Sequence, residues 1–267
     1  MKSINVLGFG TMGIQLAAFF YAIGYAVTVW NRGFPEAKQK RLSFEKRKIE
    51  KAFNCAQERH GIVFLDQIEQ LPATITIDAL AEDIEVKKSV IKQLPFEPAP
   101  LGLFTNSSSY SPSEVAIGAH GLHFFNPIYS VALVETTCAV DSLPLLKDIK
   151  EAGLQVIHTK GNRGYIANYI LFQEISAALS LVENFGYDTD TVDNVLAALG
   201  RQTSIFDVVD FVGVDITKTI LDNLHKTNAS IVAPQILTTA LASGIFGRKN
   251  RTSIRSALDS KVRNHDE

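Results

Sequence analysis

Within its first fifteen residues the chain reads Val6-Leu7-Gly8-Phe9-Gly10-Thr11-Met12-Gly13, three glycines spaced as G-x-G-x-x-G. The apolar run before it, from Ile4, suits a buried parallel strand, and the apolar stretch behind it suits a helix. Strand, glycine turn and helix in that order form the local chemistry that sets a pyrophosphate against a helix N-terminus. Gly8 permits the tight turn, Gly10 lets the backbone approach the phosphates without a Cβ in the way, and Gly13 lets the helix lie close to the sheet. Thr11 and Met12 supply the intervening backbone amides. A purely structural glycine turn is the competing reading, and the second strand about twenty residues on favours the nucleotide.

Ile14 to Trp30 is nearly all apolar, broken by Gln15, Gly24 and Thr28. It reads as a buried helix, Thr11 to about Ile23, and a strand, Ala26 to Trp30, rather than a membrane span or a signal segment. A net charge of -2 gives no basic field that would draw the chain to nucleic acid or an anionic membrane. Cys55 and Cys138 are the only cysteines, which points to a reduced compartment, the cytoplasm, with no disulfide framework and no metal site. The second strand ends in Asn31-Arg32, where an NAD site usually places a carboxylate on the ribose. Asn31 removes the repulsion of a 2′-phosphate and Arg32 offers it a partner, so NADP and NAD both remain open. The basic stretch Glu36 to Lys51, with Leu42, Ile49 and Phe53, reads as a helix buried on one side. Its lysines form either a solvated face or a landing surface for the phosphates of a second ligand.

Further strand candidates are Ala73 to Leu80, Leu101 to Thr105, a run leading into Gly118 to Pro127, and Ser130 to Thr137. Polar groups follow or end them: Glu82-Asp83, Asn106-Ser107-Ser108-Ser109, and His123. In an open α/β sheet, ligands bind outside the carboxyl ends of the strands, which is where these residues fall. Glu135 continues the apolar face of Val131 and Leu133, a costly place for a carboxylate without a partner. It sits either at a frayed, wet strand end or against the imidazole of His123.

Taken together, Gly8 to Gly13, Ala81-Glu82-Asp83-Ile84-Glu85-Val86-Lys87-Lys88, Thr105 to Ser109, Gly121-Leu122-His123-Phe124-Phe125-Asn126-Pro127, Leu133-Val134-Glu135 and Gly164-Tyr165-Ile166-Ala167-Asn168 resemble the short-chain L-3-hydroxyacyl-CoA dehydrogenases over nearly the whole chain. The resemblance implies hydride transfer between a nicotinamide cofactor and the 3-position of an acyl thioester. It casts His123 as the general base, selected over His120 by the Phe-Phe-Asn-Pro run, and Glu135 as the group that orients it. Ser108 and Asn168 would hydrogen-bond the reacting oxygen. Asn126 and Ser108 would lie near the nicotinamide, Glu82 and Lys87 would meet the cofactor ribose, and Lys249 would be a further cofactor contact.

The boundary falls at Gly161-Asn162-Arg163-Gly164, giving a Rossmann-type α/β domain over 1–161 and an all-α domain over 162–267. Tyr165 to Phe185 shows helical spacing, and glycines follow the apolar runs that end near Phe185, Leu199, Val212 and Ala242. In the family this second domain forms the homodimer. The chain departs from the family at Arg163-Gly164, normally proline-glycine, at Gln202-Thr203-Ser204-Ile205, normally Pro-Met-Gly-Pro, and in a shortened insertion after the second strand. These departures touch the outer substrate regions, so a carrier-protein ester or a free hydroxy acid stands as the alternative to a short-chain CoA ester. A non-catalytic nucleotide-binding protein of the same fold is the rival from another class.

Overall fold

The computed structural model describes residues 2–56, 58–140 and 142–263, with the side chains of 101 and 260–263 left aside. It divides into two compact units, residues 1–165 and 166–267.

The first unit is an eight-stranded sheet in the order β3-β2-β1-β4-β5-β6-β7-β8. Its strands are β1 (Ser3–Leu7), β2 (Ala26–Trp30), β3 (Ile62–Leu65), β4 (Ile75–Asp78), β5 (Leu103–Thr105), β6 (His120–Phe124), β7 (Leu133–Thr136) and β8 (Gln155–His158). Helices α1 (Thr11–Ala22), α2 (Glu36–Ala52), α3 (Ile84–Lys92), α4 (Pro112–Val115) and α5 (Pro144–Glu151) run between them. Strands β3 to β6 are parallel, β6 and β7 pair antiparallel, and β7 and β8 are parallel again. The chain leaves β1 for β2 on one side and returns to β4 on the other, so the crevice between β1 and β4 is the topological switch point.

Helix α1 is apolar on nearly every side because it is buried along nearly its whole length, from Gly13 to Ala22. Phe19 and Phe20 pack on Phe124 of β6, with ring centroids 5.4 and 6.0 Å apart. Strand β3 is a finding the sequence reading lacks; its four residues follow Gly61 and pair with β2. Strands β5 and β7 are shorter than their apolar runs. Residues 99–101 form a 3₁₀ turn, and the amides of Ser130 and Val131 turn back onto the carbonyl of Pro127.

The second unit is helical throughout its described residues: most of α6 (Tyr165–Phe185), then α7 (Thr189–Ala198), α8 (Ile205–Val212), α9 (Val214–His225), α10 (Gln235–Ala242) and α11 (Ile254–Arg263). Helix α6 is long and apolar enough to cross a membrane by length and composition alone. Phe172, Ile175, Leu179 and Val182, spaced three and four apart, instead place one of its faces in the core of this unit. Asp188 caps α7 and Ser204 caps α8. Ser204 thus supplies a helix start within the segment that departs from the family pattern.

Candidate active site

The glycine turn lies at the switch point. Gly8 has φ +103°, and a Cβ there would stand 2.6 Å from the carbonyl oxygen of Ala79, just past β4. At Gly13 a Cβ would stand 2.1 Å from the carbonyl oxygen of Gly8, so the helix sits on the turn itself. At Gly10 a Cβ would meet nothing within 4 Å, and no side chain caps this end of α1. Open space before free helix amides, Thr11 and Met12 among them, fits the pyrophosphate of a dinucleotide. Arg41 of α2 reaches the Thr11 hydroxyl at 3.4 Å and brings positive charge to the same end. Only its place in a basic stretch hinted at this.

The amide of Asn31 is engaged at both ends. Its Oδ1 accepts from the Phe9 amide at 3.2 Å, and its Nδ2 donates to the Gly33 carbonyl. Asn31 therefore ties the glycine turn to the end of β2. Arg32 is exposed and has no partner among the described residues.

A charged cluster closes the other side of the crevice. Asp78, the last residue of β4 and fully buried, accepts from Lys87 Nζ at 2.9 Å and from the Thr105 hydroxyl at 2.8 Å. Lys87, 1% exposed, also pairs with Glu82 at 3.1 Å. Burial pulls the Lys87 ammonium down, but Asp78 and Glu82 more than offset it and hold it above the ordinary lysine value. Glu82 accepts from the Ser107 hydroxyl and from the amides of Ser108 and Ser109, at 2.7, 3.0 and 3.1 Å. Burial would raise this carboxyl, yet Lys87 and those donors hold it below the usual carboxylate range. Glu82 thus pins the serine loop, Lys87 holds Glu82, and Asp78, absent from the candidates read in the sequence, anchors Lys87 and Thr105.

That loop distinguishes its serines. The Ser107 hydroxyl is spent on Glu82 and accepts from the Tyr110 amide. Ser108 is held by its backbone alone, its amide on Glu82 and its carbonyl accepting from Gly164 at 2.7 Å. Its hydroxyl has no hydrogen-bond partner among the described residues.

His123 and Glu135 stand directly opposite one another across the antiparallel pair of β6 and β7. Nδ1 of His123 lies 3.1 Å from Oε2 of Glu135, with the residues 4% and 2% exposed. Cross-strand register, not a loop, brings the two together. An Nδ1–H donated to the carboxylate leaves the Nε2 lone pair for chemistry. His120, at the start of β6, is exposed. Asn126 accepts from Gln15 Nε2 at 2.9 Å while Gln15 Oε1 accepts from the Ile128 amide at 2.9 Å. Gln15, read from sequence only as a break in an apolar run, therefore fixes the segment that carries Asn126.

The remaining two candidates belong to the second unit. Asn168 is a half-buried residue in the first turn of α6. Lys249 lies in the 3₁₀ turn of residues 247–250, its Nζ 2.6 and 2.9 Å from the Asp215 carboxylate oxygens.

Two family models match the chain: "3-hydroxyacyl-CoA dehydrogenase, NAD binding domain" over residues 3–144 and "3-hydroxyacyl-CoA dehydrogenase, C-terminal domain" over 164–256. The human mitochondrial hydroxyacyl-coenzyme A dehydrogenase is 26% identical over 93% of this chain and 89% of its own. A Bacillus subtilis protein named "Probable 3-hydroxybutyryl-CoA dehydrogenase" is 26% identical over 85% of this chain and 86% of its own. The crystal structure of (S)-3-hydroxybutyryl-CoA dehydrogenase from Ralstonia eutropha shares the fold with a TM-score of 0.77, at 19% identity, over 95% of this chain and 98% of that one.

Proposed function

Because this chain belongs to the 3-hydroxyacyl-CoA dehydrogenase family, with both of its domains matched, we propose that it interconverts short-chain 3-hydroxyacyl-CoA and 3-oxoacyl-CoA with His123 as its acid–base group. The observation that carries the assignment is the buried His123–Glu135 pair, 3.1 Å apart across two strands. The NAD-binding domain would hold NAD(H), which supplies the hydride chemistry at its nicotinamide C4 when bound. Gly8, Gly10, Thr11, Met12 and Gly13 would hold its pyrophosphate. Asn31 and Arg32 would lie toward the adenosine ribose, Glu82 and Lys87 toward the other ribose, and Asn126 and Lys249 would be further contacts.

During oxidation Nε2 of His123 takes the proton of the 3-hydroxyl, and during reduction it returns it. Glu135 holds the ring by Nδ1 and offsets the charge the ring gains. The unspent hydroxyl of Ser108 donates to the reacting oxygen and polarises the carbonyl, a role the family resemblance also gives to Asn168. His123→Gln should lower turnover of acetoacetyl-CoA with NADH by about three orders of magnitude or more, from loss of base and orienting pair together. A variant as active as the parent would remove His123 from the mechanism. A protein that binds NADH yet turns over no acyl thioester would favour the non-catalytic rival.

The free guanidinium of Arg32 beside Asn31 supports use of NADP(H) alongside NAD(H). The test is kcat/KM with each cofactor in parent and Arg32→Glu; an unchanged ratio would exclude that role. The exposed Arg47, Lys48 and Lys51 of α2 support landing of coenzyme A phosphates. A panel of CoA esters, carrier-protein esters and free 3-hydroxy acids decides the carrier. Exposed Ile170, Phe185 and Leu199 on the helical unit support a homodimer, testable by light scattering. The two free cysteines suit the cytoplasm.

A further inference from the structure

Tyr165, the first residue of α6 and the last of the first unit, combines several unfavourable features in one side chain. Its φ is +49°, a region that side chains rarely adopt. It is 3% exposed, and its hydroxyl has no hydrogen-bond partner among the described residues. That hydroxyl fills the space of a neighbour's side chain: a Cβ on Gly121 would stand 2.1 Å from it. Burial, with the carboxylates of Glu135 and Glu82 nearby, pushes the phenol well above its ordinary value, so it stays neutral at any working pH.

The ring itself has one specific neighbour. It lies face to face with the imidazole of His123, centroids 4.8 Å apart and planes 18° from parallel. Gly121 and His123 point to the same face of β6, two residues apart. Tyr165 crosses that face, its hydroxyl over the glycine and its ring against the histidine. The backbone feeding it is equally fixed, since Gly164 donates to the Ser108 carbonyl and Tyr165 donates to the Asn162 carbonyl.

We propose that Tyr165 is a positioning residue, stacked on His123 so that the Glu135-bound imidazole presents Nε2 in a single direction. This rests on the reading of His123 as the acid–base group. A histidine χ2 well is broad, and one hydrogen bond at Nδ1 leaves the ring free to swing with the carboxylate. A parallel ring in contact blocks that swing, because turning would drive an imidazole edge into the phenol face. The working part is therefore the ring and not the hydroxyl.

Four variants test it. Tyr165→Phe should keep kcat within about twofold of the parent, while Tyr165→Leu should lower it about 10- to 100-fold with both KM values nearly unchanged, as expected for a misdirected base. In NMR spectra the His123 Cε1 proton should keep its ring-current displacement in the Phe variant and lose it in the Leu variant. Gly121→Ala puts a methyl where the hydroxyl lies and should lower kcat without removing the ring. The Gly121→Ala/Tyr165→Phe double variant, its nearest contact now the ring carbon at 3.0 Å, should regain part of that loss. This arm stands even where the Leu variant fails to fold. Parent-like kcat in a folded Leu variant overturns the proposal, as does a Phe variant as impaired as Leu, or a Gly121→Ala defect that Phe does not relieve. If His123→Gln keeps parent activity, the acid–base reading fails first, whatever Tyr165 does.

Discussion

At residue 135 an apolar strand face carries a carboxylate, and the imidazole across the ladder helps to meet its cost. Glu135→Gln preserves shape but loses the charge and admits the wrong histidine tautomer. Its kcat should fall about 10²- to 10⁴-fold, with KM for NADH little changed, by analogy with orienting carboxylates elsewhere. A raised KM with kcat unchanged would assign Glu135 to binding instead. The partnership was legible as one of two readings, since His123 lies a loop away in sequence. The register that makes it direct was not, because nothing in the chain says that β6 and β7 run antiparallel. Lys87 shows the converse. Resemblance assigns it to the cofactor, and the structure adds that it stands between Asp78 and Glu82 while 1% exposed. Lys87→Met removes the cation from a fully buried carboxylate and should cost about 3–5 kcal/mol in urea unfolding. A loss below about 1 kcal/mol, the range of an exposed pair, would show that water reaches Asp78.

Among elements, the segment between β8 and α6 shows how a departure from a family pattern is accommodated. Arg163 stands where a proline is usual, and its guanidinium forms a two-point pair with Glu114 of α4. The Arg163 bond, joined by Ser111 donors, holds the Glu114 carboxyl down at about 2 against burial that acts the other way. A carboxyl lowered on folding contributes stability above its unfolded value, near 4.5, and loses it as pH falls toward about 2. Urea midpoints of the parent should therefore drop across that window more than those of Glu114→Gln, with the two curves converging at its acid end. Parallel curves would mean that the pair is not formed in solution. Much of the element pattern was readable: β1, α1 and β2 follow from apolar runs punctuated by Gly8 and Gly24. Strand β3 escaped because four apolar residues in a polar stretch carry too little periodicity. Helix α9 escaped because Gly213 serves as the C-cap of α8 and the N-cap of α9 at once, so a stop signal hid a start.

For the whole molecule, two units with separate cores divide the work unequally. The glycine turn, Asn31, Arg32, Glu82, Lys87, Ser108 and Asn126 all belong to the first unit, whereas Asn168 and Lys249 belong to the second. Trp30 is the only tryptophan, nearly buried at the end of β2, so its fluorescence reports unfolding of the cofactor-binding unit. A ligand that binds only the folded form stabilises by about 2.7 kcal/mol at a hundred times its Kd, and for a unit of this size about 2–4 °C accompanies each kcal/mol. NAD at that excess should therefore raise the Trp30-reported midpoint by roughly 5–10 °C. NADP at the same multiple of its own Kd should do likewise in the parent. In Arg32→Glu, at the concentrations that saturate the parent, the NADP shift should shrink and the NAD shift persist, because only the 2′-phosphate loses its partner. A midpoint indifferent to NAD would mean that the folded first unit does not bind it. An NADP shift equal in parent and variant would leave Asn31 alone responsible for admitting the phosphate.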